Sequence, residues 1–229
     1  MWEVNVVGTV NLLHAVRERR PDARVLMVST GEVYGRAARV PTPEDEPVAP
    51  LSPYAASKAA AELACDQARR RGLNVVVARA FQHEGPGRDE RFAVGSWTAQ
   101  LVRLRASGGG LLRVGELGAR RDITDVRDVC RAYRLLLEPG VEPGVYNVAR
   151  GSSVSMEEVL HLLVDVAGLA VEVEHDPARL RPAEIPVLCG DASKLTRATG
   201  WQPKIPLRRT LADALAEADR TTSERIAKA

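Results

Sequence analysis

A chain of 229 residues is long enough for a buried core and two lobes, and 45% hydrophobic with 27% charged residues is an ordinary globular composition. Its 32 basic and 30 acidic residues leave a net charge of +2, so no field selects nucleic acid or an anionic membrane. The three cysteines, Cys65, Cys130 and Cys189, fall in no metal-type spacing, and no apolar run approaches the roughly 20 residues of a membrane span. No metal site is expected. With no signal peptide in view, the expected compartment is the reducing cytoplasm, with Cys65 and Cys130 buried on apolar helix faces.

Helix and strand signals alternate. Val6, Val10, Leu13 and Val16 predict a helix from Val6 to Arg19, and Arg24–Val28 reads as an apolar strand closed by Ser29-Thr30-Gly31-Glu32-Val33-Tyr34-Gly35. A Pro-rich loop from Arg36 to Pro53 leads into an Ala-rich helix from Tyr54 to Arg71, which Gly72 ends. Asn74–Ala78 is continuously apolar, the pattern of a parallel strand covered on both faces. Beyond Phe81 the chain predicts a helix over Phe92–Arg105, a strand at Leu111–Val114, a helix over Val126–Leu137 and a strand at Val145–Val148. Ser155 with Glu158 forms a capping box before a helix over Val159–Ala167; a strand at Ala170–Glu174 and a terminal helix from Leu207 complete the order. Such alternation with short loops argues for a doubly wound α/β sheet, and ligands of such sheets bind beyond the carboxyl ends of the strands. Ser29, Thr30, Glu32 and Phe81-Gln82-His83 all fall at that edge.

The chemistry concentrates there. Tyr54 and Lys58 are four residues apart on one helix face, so an ammonium stands beside a phenol and favours its ionised form. Tyr54 would then be a general acid or base, Lys58 would tune it and hold a ribose hydroxyl, and Thr30 or Ser29 would hydrogen-bond the same substrate oxygen. Glu32 adds a second proton-transfer group for a neighbouring carbon. A Tyr-x-x-x-Lys pair alone is commonly structural, and Tyr34 reads equally as a core aromatic. The ordered run of apolar strand, Ser-Thr-x-Glu-x-Tyr-Gly, Pro-rich loop and Ser-Pro-Tyr-x-x-x-Lys is what singles the pair out.

That run resembles the extended short-chain dehydrogenases/reductases, in their NAD(P)-dependent nucleotide-sugar epimerase/dehydratase family. Val4-Asn5-Val6-Val7-Gly8-Thr9 resembles the family's Asn-containing helix, Arg127-Asp128-Val129 its "RDV" helix start, and Trp201-Gln202-Pro203 its "GWxP" element. Thr30-Gly31-Glu32, Arg120-Arg121-Asp122-Ile123-Thr124-Asp125-Val126 and Arg181-Pro182-Ala183-Glu184-Ile185-Pro186 are similar to the GDP-mannose branch, which holds 4,6-dehydratases and GDP-4-keto-6-deoxymannose reductases. Pro186 favours the reductases, since the dehydratases more often carry aspartate there.

The resemblance implies NADP(H)- or NAD(H)-dependent reduction of the C4 ketone of a GDP-4-keto-6-deoxyhexose, with Thr30, Glu32, Tyr54 and Lys58 catalytic. It implies that Ser29, Tyr54, Lys58, His83 and Arg88 face the cofactor, and that Gln82, Arg121, Arg181 and Glu184 face the nucleotide sugar. From the residues alone, Arg121 could instead pair with Asp122 or Asp125, and Arg181 with Glu184. A GDP-mannose 4,6-dehydratase using Thr30, Glu32 and Tyr54, and a non-catalytic fragment that binds a nucleotide sugar or a partner subunit, are the alternatives. The family's opening strand, Gly-x-x-Gly-x-x-Gly loop, helix and two further strands, roughly 80 residues by unit size, have no counterpart in this sequence. The expected fold is therefore a partial, N-terminally truncated Rossmann-type sheet over 1–83 and 123–149, with a smaller substrate-binding α/β lobe over 84–122 and 150–229. Cofactor binding is expected to be impaired, and an apolar face of the remaining strand exposed. Gln82 stands where the family has asparagine, which reaches one methylene less. Helices Val4–Arg19 and Tyr54–Arg71 occupy the places from which the family builds a four-helix bundle, implying a homodimer.

Overall fold

In the computed structural model the described residues are 1–179 and 184–226, the last three as backbone alone. A π-helical stretch Glu3–Val7 runs without a break into α1 (Gly8–Arg19), three residues earlier than the periodicity indicates. Strand β1 (Val25–Thr30) ends in a single helical turn Gly31–Tyr34, and α2 (Pro53–Arg70) starts where Ser52 accepts the Ala55 N–H at 3.1 Å with proline in the first turn. Next come β2 (Val75–Ala80), β3 (His83–Glu84), α3 (Ala93–Arg105) and β4 (Gly110–Val114). They are followed by β5 (Arg120–Arg121), β6 (Thr124–Asp125), α4 (Val126–Leu136), β7 (Gly144–Val148) and β8 (Val154–Ser155). Helix α5 (Met156–Ala167) opens on the expected capping box, and β9 (Val171–His175), β10 (Val187–Leu188), α6 (Ser193–Thr199) and α7 (Leu207–Ile226) complete the order.

β1, β2 and β7 form a parallel sheet in the order β1-β2-β7, with Ser29 opposite Arg79 and Arg79 opposite Asn147. Helices cover both faces. Leu13 of α1 and Ala61, Cys65 and Ala68 of α2 pack on Met27, Val75 and Val77. On the other face Val129, Ala132 and Leu136 of α4, Leu195 of α6 and Trp201 pack on Val76, Ala78, Tyr146 and Val148. The arrangement is the doubly wound α/β fold, and each fully buried leucine or valine contributes about 1.5–3 kcal/mol to it. β1 is one edge of this sheet, and Val28 on it is 40% exposed.

A second apolar core joins α3, α5 and α7 to the parallel pair β4–β9 through Leu101, Leu112, Val114, Leu160, Leu163, Leu211 and Leu215. Between the two cores, two-residue strands stitch distant segments together: β3 with β6, and β5 with both β8 and β10. No periodicity announces pieces that short.

Two expectations are corrected. β1 and β2 run two residues further than predicted, so Ser29, Thr30, Arg79 and Ala80 are strand residues. Cys130 is exposed, because the buried stripe of α4 follows Asp128, Val129, Ala132 and Leu136 and turns Cys130 to solvent; Cys65 is buried as expected. No helix among the described residues is long and apolar enough to cross a membrane.

Candidate active site

The carboxyl end of β1 carries the predicted chemistry. Thr30 caps the following turn, its hydroxyl accepting the Glu32 N–H at 3.2 Å, and the turn aims Glu32 back over the strand end. Gly31 is required there because the Phe81 ring lies where a Cβ would stand, 2.8 Å away. α2 brings Tyr54 against Thr30 and Lys58 against Val28, whose carbonyl accepts from Lys58 Nζ at 2.9 Å.

The electrostatics differ from the simplest expectation. Burial holds the Tyr54 phenol above its ordinary value, the Glu32 charge raises it further, and contact with the Thr30 hydroxyl lowers it in part. The expected lowering by Lys58 is not what the structure shows. Lys58 is engaged by a main-chain carbonyl, and burial lowers its own pKa against the pull of Glu62. Glu32 is likewise raised by burial, with Arg121 pulling it down and Glu184 pushing it up. Thus Thr30, Glu32, Tyr54, Arg121 and Glu184 act on one another at one place, although up to 154 positions separate them.

Arg121 pairs with neither Asp122 nor Asp125. Its Nη1 donates to the carbonyls of Arg120 and Ile185, both at 2.9 Å, and of Pro186 at 3.4 Å. Burial lowers its pKa and Glu32 raises it. Among the described residues no carboxylate stands within ion-pair distance, so the rest of the guanidinium fork remains available for an anion. Asp122 is fully buried and serves the main chain instead: it accepts N–H groups of Arg150 at 2.7 Å, Gly151 at 2.8 Å and Gly190 at 3.4 Å. Asp125 pairs with Arg127 and accepts from Thr210. Arg181 lies outside the described residues. Glu184 is exposed, and its carbonyl accepts from Arg36 Nε at 2.8 Å.

Other predicted residues are occupied elsewhere. Gln82 donates to Glu84 at 3.2 Å, and His83 meets the Phe81 carbonyl through Nδ1 at 3.0 Å. Arg88 stacks on the Phe92 ring, 3.7 Å from its centroid, with Glu84 at 3.3 Å. Ser29 is tied to Glu62 behind the strand end. Tyr34 is a core aromatic whose hydroxyl donates to Asn147 at 2.7 Å. Sequence reasoning missed Glu62 and Arg79. Their signals were a carboxylate one turn beyond Lys58 and a lone arginine inside the apolar run Val75–Ala80. No cluster of three or more metal-ligating side chains is formed among the described residues.

A nicotinamide cofactor fits this site at one end. Tyr54 is 37% exposed at the strand edge, and Lys58 keeps donors beyond the one given to Val28, a suitable cradle for a ribose and a reacting ring. Within residues 1–229 no glycine-rich turn from a strand into a helix offers a pyrophosphate cradle.

Comparison with known proteins agrees with the fold. The family model described as GDP-mannose 4,6 dehydratase matches residues 1–214. The GDP-6-deoxy-D-mannose reductase of Pseudomonas aeruginosa is 38% identical over 219 residues, which are 94% of this chain and 72% of that protein. The GDP-mannose 4,6-dehydratase of Yersinia enterocolitica is 26% identical, over 93% of this chain and 66% of its own length. The solved structure of RMD from Pseudomonas aeruginosa with NADPH superposes with a TM-score of 0.89 at 36% identity, covering 96% of this chain and 74% of that one. The chain thus spans about two-thirds to three-quarters of the length of these relatives.

Proposed function

Since this chain belongs to the GDP-mannose 4,6-dehydratase family, we propose that it carries the proton-transfer and sugar-nucleotide-facing parts of an NADPH-dependent reductase acting on the C4 ketone of a GDP-4-keto-6-deoxyhexose. One observation carries the reading: Tyr54 meets Thr30 at the carboxyl end of β1 as a phenol held above its ordinary pKa. A phenol neutral at pH 7 is an acid, and reduction of a ketone needs a proton donor at the oxygen.

The cofactor, when bound, supplies the hydride that reduces the carbonyl carbon. Tyr54 Oη gives its proton to the alkoxide oxygen formed at C4, and the Thr30 hydroxyl hydrogen-bonds the same oxygen. Lys58 Nζ, fixed at one donor by Val28, holds a ribose hydroxyl with another. Arg121 presents its free edge to the GDP diphosphate, and Glu184 borders the nucleoside; Arg181, assigned to the same part by the resemblance, lies outside the described residues. His83 and Arg88 stand on the cofactor side in this reading. Gln82 contributes to the sugar site only if it leaves Glu84.

We assign residues 1–83 and 123–149 to the Rossmann-like part and 84–122 with most of 150–229 to the substrate lobe; α6 and Trp201, which pack on the β1-β2-β7 sheet, go with the former. A homodimer through α1 and α2 accounts for the exposed Val4, Val7, Leu12 and Leu63. Free thiols at Cys65 and Cys189 suit the cytoplasm.

The test follows NADPH absorbance with the GDP-4-keto-6-deoxy sugar. Turnover that disappears in Tyr54→Phe, with GDP-sugar binding retained, supports the assignment; turnover surviving in that variant sinks it. Glu32, buried beside Tyr54 with a raised pKa, favours a second reading as the 4,6-dehydratase, with Glu32 acting at C5. Production of a 4-keto sugar from GDP-mannose, abolished in Glu32→Gln, would select it. Binding of GDP-sugar without turnover of either substrate would leave a substrate-binding fragment.

A further inference from the structure

Behind the proton-transfer edge lies a layer of buried charge that the proposed chemistry does not use. Tyr54, Lys58 and Glu62 stand one turn apart on α2, facing the last three residues of β1. Each has a partner there. Thr30 contacts the Tyr54 phenol, the Val28 carbonyl accepts from Lys58, and the Ser29 hydroxyl donates to the Glu62 carboxylate in a short hydrogen bond. Arg79 grips the same carboxylate from the sheet: Nε reaches its two oxygens at 3.1 and 3.0 Å, and Nη2 reaches one at 2.6 Å.

Arg79 is placed by register, opposite Ser29 on the neighbouring strand. Its guanidinium lies 4.7 Å from the Tyr34 ring centroid, and Nη1 reaches the Glu44 carbonyl at 3.4 Å. The two side chains of the pair are only 7% and 8% exposed. A buried ion pair is a poor way to gain stability, because apolar side chains of the same volume commonly do as well. Its position, one turn from Lys58 and directly under Ser29, points to a role in the site.

We propose that Glu62 and Arg79 are positioning residues of the proton-transfer site. Arg79 fixes the Glu62 carboxylate, and that carboxylate fixes the Ser29 hydroxyl and sustains the positive charge of Lys58. The proposal rests on the reading of Tyr54 and Lys58 as the proton-transfer pair. Glu62 and Tyr54 flank Lys58 one turn away on its own helix; Arg79 on β2 reaches it through Glu62, and Glu32 after β1 acts on Tyr54. Of these, Glu62 is the one that supports the ammonium against burial.

The chain has four lysines, Lys58, Lys194, Lys204 and Lys228, so ¹³C-dimethylation gives a spectrum in which Lys58 is assigned by its loss in Lys58→Arg. Titration by NMR then reads its pKa without any need for turnover. Glu62→Gln removes the supporting charge and leaves Arg79 unbalanced, so the Lys58 pKa falls by about one unit. Arg79→Met leaves the carboxylate unbalanced, so the Lys58 pKa rises. Opposite shifts are expected of an electrostatic positioning pair; a pair that serves only stability also shifts Lys58 through its charge, but it leaves the pH profile of kcat in place, whereas a positioning pair moves that profile with Lys58. No shift, shifts of the same sign, or an unmoved profile overturns the proposal.

If a single variant does not fold, the paired replacement Glu62→Met with Arg79→Met leaves no orphan charge. It should still lower the Lys58 pKa by removing the nearer charge, and an unchanged value overturns the proposal. The proton-transfer reading itself fails separately, through retained turnover in Tyr54→Phe.

Discussion

The two sides of the candidate site are built by different means. On the proton-transfer side, side chains hold side chains: Glu62 joins Ser29 to Arg79, and Lys58 closes onto a strand carbonyl one turn away. On the anion side the main chain does the holding. Carbonyls of Arg120, Ile185 and Pro186 position Arg121, and Asp122 collects N–H groups from the loops at Arg150–Gly151 and Gly190. The first construction fixes a small constellation whose distances matter to a proton transfer. The second sets one guanidinium where three segments distant in sequence converge, which suits recognition of a diphosphate.

Kinetics should separate the two sides most widely. Tyr54→Phe should lower kcat by about 10²–10⁴-fold and leave KM for the sugar nucleotide near its original value. Arg121→Met should raise KM by about 10- to 100-fold, the worth of one charge-assisted fork, with kcat less affected. If both variants move the same constant, the division is wrong.

Stability gives the next contrast. Glu62→Ala leaves the buried Arg79 without its carboxylate and should cost about 3–5 kcal/mol in denaturant unfolding. Asp122→Ala strips the acceptor from three main-chain N–H groups, and about 2–4 kcal/mol is expected, since some of those groups can regain water. A loss under 1 kcal/mol at Asp122 would show that the loops hold Arg121 without it.

Much of this was legible before the structure. Tyr54 and Lys58 lie within one helix, and Ser29, Thr30 and Glu32 within one strand end, so local periodicity brings them into play. The parallel sheet was readable in the unbroken apolar runs that need cover on both faces. What stayed hidden depends on pairings across the chain. Strands of two residues carry no period, so β5, β8 and β10 could not be foreseen, nor could the carbonyls of Arg120, Ile185 and Pro186 that hold Arg121. The sign of the Tyr54 shift was hidden too. Spacing reveals the nearby lysine but not the burial and the Glu32 charge that raise the phenol.

A finer contrast lies where β3 meets β6. Glu84 and Asp125 are buried carboxylates directly opposite in register, yet they titrate in opposite senses. Burial raises Glu84, with Arg88 and Gln82 compensating only in part. Asp125 ends below its ordinary value, because hydrogen bonds from Arg127 and Thr210 outweigh its burial. The stability linked to Glu84 is therefore full below its unfolded value and is lost as pH rises through the raised folded value. That linked to Asp125 is present above its unfolded value and is lost as pH falls. Relative to wild type, Glu84→Gln should gain stability as pH rises above about 4.3, whereas the deficit of Asp125→Asn should stay constant above about pH 4 and shrink as pH falls below it. Urea midpoints taken on both sides of about pH 4 test the pair, and a Glu84→Gln difference that is flat above it, or an Asp125→Asn difference that is flat below it, would contradict it.

The smallest expected effect concerns the thiols, and it marks the same difference between enclosed and open parts of the fold. Cys65 faces the sheet from α2 with its pKa pushed up to about 11 by burial and by Glu62; Cys189 touches Asp122 and is pushed up to about 12. Both are therefore held as protonated thiols in closed surroundings, and a thiol reagent needs the thiolate and access to it. Cys130, turned to solvent on α4, has that access. One equivalent of a chromogenic disulfide reagent should react quickly with the native chain at pH 8, and Cys130→Ser should abolish that phase. The remaining two thiols should appear only on unfolding. A second fast equivalent would mean that the loops around Asp122 open in the native state, and that the main-chain construction around Arg121 is looser than the side-chain ladder beneath Tyr54.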